Sequence, residues 1–96
     1  MDDKMFIDTS FSDDELPEEY GKRLGVFIRT RRNDLNKNQI TLAVEVGLDT
    51  GAISRLERGM QNPRMAILFR LAKALGVSMC DMMAATRPAI TRVNTR

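Results

Sequence analysis

The segment from Gln39 to Arg58 leaves the backbone few choices. Asn38 is a helix-capping residue type, and Ile40, Leu42, Ala43 and Val46 follow it at helical spacing. Gly47 suits the left-handed position that ends a helix. Only Leu48 separates that glycine from Asp49, a second capping type, so a new helix begins at Thr50 and runs to about Arg58, where Gly59 ends it. Two helices joined by a turn of about three residues cross at a steep angle. The crossing needs a small residue, Ala43. The turn needs positive φ, Gly47. The second helix needs apolar side chains facing back, Ile53 and Leu56, and Leu42, Val46 and Leu48 complete the seam.

The flanks read as three more helices. Pro17 suits a first helical position, Glu18 and Glu19 lie at the positive end of the dipole, and Leu24, Ile28 and Leu35 recur at helical spacing around an end near Asp34. Gly21 and Gly25 weaken this helix by propensity. After the loop MQNP, Arg64–Leu75 places Ile67, Leu68, Leu71, Ala72 and Leu75 on one face and closes at Gly76. Ser78 caps a short last helix over Met79–Ala85. No internal repeat and no strand pair is visible. The expected architecture is all-α, with five helices over residues 17–85. Residues 1–16, MDDKMFIDTSFSDDEL, show no sustained period and read as an acidic, mostly disordered arm, and residues 86–96 as a basic flexible tail.

Composition narrows the function classes. A chain of 96 residues, 43% hydrophobic and 29% charged, fits one small globular domain. One cysteine, Cys80, and no histidine exclude a disulfide within a chain and leave no set of ligands for zinc. The commonest general base is missing and no catalytic grouping replaces it, so neither an enzyme nor a metal or cofactor is expected. The run MCDMM reads as core packing or a dimer contact, undivided between the two. No apolar run approaches the ~18 residues of a membrane span. The acidic N-terminus is unlike a signal peptide, so a cytoplasmic setting is expected. The net charge of +2 hides a division: residues 1–19 carry eight acids against one lysine, net −7, and residues 20–96 carry fourteen Lys/Arg against five acids, net +9. A basic body of this kind points to nucleic acid or another acidic partner.

The stretch NQITLAVEVGLDTGAISRLERGMQNPR, followed by LFRLAKALGV, resembles the Cro/phage-repressor type (XRE family) of helix-turn-helix domain. The likeness runs from about Leu24 to Met83 and rests on the pattern LA…G…IS.LE.G…NP…L..LA.ALGV. It implies a lambda-repressor-like fold of five helices and binding to double-stranded DNA. The implied role is a transcriptional regulator, most often a repressor, acting as a homodimer on a pseudo-palindromic operator. Each protomer would read one half-site, ~10 bp or a multiple of that from the other.

The resemblance also assigns residues. Thr50, Gly51 and Arg55 fall where family members contact bases, with Ala52 and Ser54 flanking that face. Arg55 is the strongest reader, since a guanidinium can donate two hydrogen bonds to guanine O6 and N7. Thr50 offers a hydroxyl and a methyl, Gly51 offers no side chain, and Ala52 offers a methyl to thymine. Gln39 matches a phosphate-binding glutamine, and Arg58, Gln61, Asn62 and Arg64 lie where the family's loop follows the phosphates. For Asn62 and Pro63, turn chemistry alone is an equal reading. An arginine of the first helix packs against a glutamate of the recognition helix in this family, which implies a structural pair between Arg32 and Glu57.

Alternatives stay open at this point. An antitoxin uses the same domain plus an arm or tail that binds a toxin. A controller protein of a restriction–modification system is a near variant. A protein-interaction module without DNA binding is the different class. A chain of this length is expected to hold no sensor domain, so occupancy would follow concentration or a partner. The acidic arm could compete with phosphate, bind a partner or aid solubility.

Overall fold

The computed structural model describes residues 18–87; the expectations for the arm, for Pro17 and for the tail beyond Arg87 lie outside them. Five helices follow in order: α1 (Glu18–Asp34), α2 (Gln39–Val46), α3 (Thr50–Glu57), α4 (Met65–Leu75) and α5 (Met79–Ala85). No strand occurs among the described residues, so the expected all-α architecture is the observed one. Two ends differ from the sequence reading. Arg58 is the C-cap of α3, and Arg64 is the N-cap of α4 rather than its first residue, without a side-chain capping bond.

Local chemistry sets the helix starts. Asn38 Oδ1 accepts from the Thr41 amide at 2.8 Å and Asp49 Oδ1 from the Ala52 amide at 2.7 Å. Ser78 and Asp81 form a reciprocal capping box, at 3.0 and 3.2 Å. Each such cap is worth about 1 kcal/mol. The turn is closed by Gly47, whose φ of 83° lets its own amide and that of Leu48 both donate to the Ala43 carbonyl, at 2.8 and 2.9 Å. The chain thus ends α2 and begins α3 within three residues.

Basic side chains close the other ends. Arg70 Nη1 donates to the Val46 carbonyl at the end of α2, at 3.4 Å. Arg31 Nε donates to the Leu75 carbonyl at 2.8 Å, and Lys37 Nζ to the Ala74 carbonyl at 2.7 Å, at the end of α4. Cations at helix C-termini satisfy orphan carbonyls and oppose the negative end of the dipole.

α1 packs against α3, α4 and α5, and α2 against α3 and α4. The core joins Ile28, Leu42, Ile53, Leu56, Leu71, Leu75 and Met82, all fully covered. Ile40 does not belong to it. The inward face of α2 is Leu42, Ala43 and Val46, and Ile40 lies with Val44, one turn on, at the surface. MCDMM divides by helical spacing. Met82 is buried, Met79 packs against the core, and Cys80 and Met83 are exposed.

Two contacts fix α3 against α1. The first is steric. A Cβ at Gly25 would stand 2.4 Å from the Glu57 carbonyl oxygen and 2.6 Å from that of Leu56. Gly25 is therefore the point where the end of α3 lies directly on α1, with Gly59 meeting Lys22 Cα beside it. The second is ionic. Arg32 Nε donates to Glu57 Oε2 at 2.6 Å and Nη2 to Oε1 at 3.0 Å, while Nη1 donates to the Lys37 carbonyl at 2.9 Å. Gln39 Nε2 donates to Glu57 Oε1 at 3.0 Å. The hydrogen bond and the charge of Glu57 raise the Arg32 guanidinium above its ordinary value, against the lowering effect of burial.

Gly25→Ala should destabilise the domain by about 1–3 kcal/mol, the usual range for overpacking, although alanine favours helix by ~1 kcal/mol; a urea melt showing greater stability would contradict the contact. Glu57→Ala should cost about 3–5 kcal/mol by leaving Arg32 buried without its partner. A Glu57→Ala protein that melts like the wild type yet has lost its binding activity would give Glu57 a role at the ligand instead.

Candidate nucleic-acid interface

The opening turn of α3 carries little side chain. Thr50, Gly51 and Arg55 are exposed, Ser54 is half-buried, and Ile53 and Leu56 face the core. Ala52 is a correction to the sequence reading. It is 5% exposed, because it follows the inward face one position before Ile53, and its methyl offers almost no surface to a thymine. The exposed edge is therefore narrower than expected: Thr50, Gly51 and Arg55, with part of Ser54.

Arg55 does not float free along this edge. Its Nε donates to Gln61 Oε1 at 3.0 Å. Its Nη1 would lie 3.4 Å from a Cβ at Gly51, and Asp49 Oδ1 would lie 3.5 Å from the same point. The guanidinium thus lies across the glycine, between the capping carboxylate and the loop after α3. The bare position 51 is where the arginine rests.

The candidate phosphate ligands fall into two groups. Arg58, Gln61, Asn62 and Arg64 are exposed on the segment after α3. Arg58 Nε reaches back to the Ser54 carbonyl at 3.3 Å. Asn62 Oδ1 would lie 3.3 Å from a Cβ at Gly21, so its amide rests on α1. Gln39 is half-buried and gives one amide N–H to Glu57, which leaves one amide hydrogen and no second strong tie for an outside acceptor.

The basic excess is not all available to a ligand. Arg31, Arg32, Lys37 and Arg70 are held by the protein's own carbonyls and carboxylates, Lys37 also by Glu45 at 2.8 Å. The arginines of the α3 region, Arg55, Arg58 and Arg64, remain at the surface. Sequence reasoning missed this division and the way Arg55 lies over Gly51. No local signal carried the division, since Arg31, Lys37 and Arg70 each close the end of another helix, 44, 37 and 24 positions away.

No helix among the described residues is long and apolar enough to cross a membrane, and no group of three candidate metal-binding side chains converges there.

Comparison with known proteins identifies the fold that carries these residues. The helix-turn-helix family model matches residues 28–82, which contain every candidate residue above. No curated protein matches the chain in sequence. Among solved structures, the clp gene regulator ClgR from Corynebacterium glutamicum is 28% identical over 70% of this chain and 71% of its own, with a TM-score of 0.67. The P22 c2 repressor protein, solved in complex with a synthetic operator, is 35% identical over 65% of this chain and 94% of its own, with a TM-score of 0.62. The restriction–modification controller protein C.AhdI from Aeromonas hydrophila is 29% identical over 65% and 94%, also at 0.62. With the family model covering more than half of its length, the chain belongs to the Cro/phage-repressor-type (XRE) helix-turn-helix family of DNA-binding transcription regulators.

Proposed function

We propose that this protein is a transcriptional repressor that binds a pseudo-palindromic operator as a homodimer. The observation that supports this best is the edge of α3. An exposed Thr50–Gly51 pair lets the backbone approach a groove closely, and Arg55 lies on that edge with Arg58 and Arg64 nearby. A helix entering the major groove by its N-terminal residues needs that arrangement.

In this reading Arg55 reads a guanine, and Thr50 contacts a neighbouring base edge by hydroxyl or methyl. Gly51 contributes no readout of its own, Ser54 serves at the margin, and Ala52 drops out. Arg58, Asn62 and Arg64 hold phosphates, with the remaining Gln39 and Gln61 amide hydrogens beside them. Such contacts fix register and carry little sequence information. With few direct readers, part of the selectivity comes from DNA shape. The likeness to the controller protein C.AhdI favours a second reading of the same class, a restriction–modification controller, which gene neighbourhood would separate.

The test is binding as a function of salt on a duplex enriched from random DNA. A dimer neutralising about eight phosphates gives a log–log slope of about −7. A slope near zero would defeat the reading. Arg64→Ala should weaken all duplexes alike and flatten the slope by about 2, one phosphate being lost per protomer; a loss confined to one sequence would make Arg64 a base reader.

A further inference from the structure

The side chain of Gln61 is placed to do something other than hold a phosphate. Arginine has five N–H donors and no acceptor, so the contact at 3.0 Å requires Gln61 to present its amide oxygen to Arg55 Nε. That bond spends the one donor on the side of the guanidinium. The four N–H groups of Nη1 and Nη2 stay unspent, and they form the fork at its end.

A guanidinium can meet guanine O6 and N7 through the end-on fork or side-on through Nε and one Nη. With Nε held, only the end-on approach remains. Gly51 completes the arrangement, because a guanidinium lying 3.4 Å from the point where a Cβ would stand has no room for a longer side chain beneath it. Arg55 and Gln61 are both exposed, so the bond is expected to add little to stability.

We propose that Gln61 is a positioning residue for base reading: it orients Arg55 for end-on contact with one guanine and so sets specificity at that base pair without touching the base. The inference rests on the DNA-binding reading above. It departs from the family-based assignment of Gln61 to phosphate, although its amide N–H groups face away from Arg55 and can serve a phosphate as well.

The experiment uses the full chain and a duplex that the wild type enriches from random DNA, together with versions in which each G·C pair is replaced by A·T in turn. Wild type, Arg55→Ala, Gln61→Ala, Gln61→Glu and the double variant Arg55→Ala/Gln61→Ala are titrated on each duplex, with thermal melts alongside. Arg55→Ala should lose discrimination on the order of tenfold or more at one base pair of each half-site. Gln61→Ala should lose a large part of that discrimination at the same base pair, and the double variant should be no less selective than Arg55→Ala alone. Gln61→Glu should restore it, since a carboxylate oxygen accepts the same N–H, while lowering affinity for every duplex by repelling phosphate. The proposal is overturned if Gln61→Ala weakens all duplexes equally with discrimination intact, or if the two single losses add. A wild type that binds no duplex in a salt-dependent way overturns the DNA-binding reading itself, and this inference with it. Melts unchanged across the Gln61 variants are expected; a lowered melting point in Gln61→Ala would make Gln61 a folding contact and overturn the proposal too.

Discussion

Everything at the edge of α3 depends on how the other end of that helix is held. Glu57 is almost fully buried and accepts from Arg32 twice and from Gln39 once. One carboxylate therefore joins the end of α1, the start of α2 and the end of α3. A buried charge is costly unless it is paired and hydrogen-bonded, which makes the junction specific to one arrangement of the three helices. Gly25 sets the distance, since the α3 carbonyls lie where a side chain would be. An eight-residue helix has little stability of its own. Clamped at its C-terminal end, α3 can present the opposite end without support from the side chains it exposes.

That division of labour explains the composition of α3. Its inward residues, Ala52, Ile53, Leu56 and Glu57, all serve packing. Its outward residues are free to be small or polar. The apparent weakness of a glycine in the first turn becomes space for Arg55, and the propensity it gives up is offset by the Asp49 cap and by the buried face. The charge pattern divides in the same way. Some of the cations that make the body basic close helix ends, and the arginines near α3 stay at the surface. A cation bound to a carbonyl keeps its charge and its share of the long-range field, but it has spent donors that a direct phosphate contact would need.

The helices and their starts were legible in the sequence because capping residues and left-handed glycines act locally. Asn38, Gly47, Asp49 and Ser78 mark their positions within a few residues. Gly25 was misread as a weakness, since the reason for it lies 32 positions away at Glu57 and no local rule carries that information. Ile40 was misplaced because an eight-residue helix offers too few turns to tell an inward apolar residue from an outward one. Ala52 was misassigned for the same reason, as one step of 100° decides between groove and core. The contact between Arg55 and Gln61 spans the end of a helix and a loop, where side-chain direction follows from the turn and not from spacing.

In the proposed function, the leading edge of α3 and the segment after it form the DNA-binding surface while α1 holds them in place. Amide chemical-shift changes, recorded as labelled full-length protein is titrated with an enriched duplex, test it residue by residue. The largest changes are expected at Thr50, Gly51 and Arg55 and across residues 58–64, with Ile28, Leu71 and Met82 little affected. Changes concentrated on α4 or α5, with Thr50–Arg55 unmoved at saturation, would contradict it.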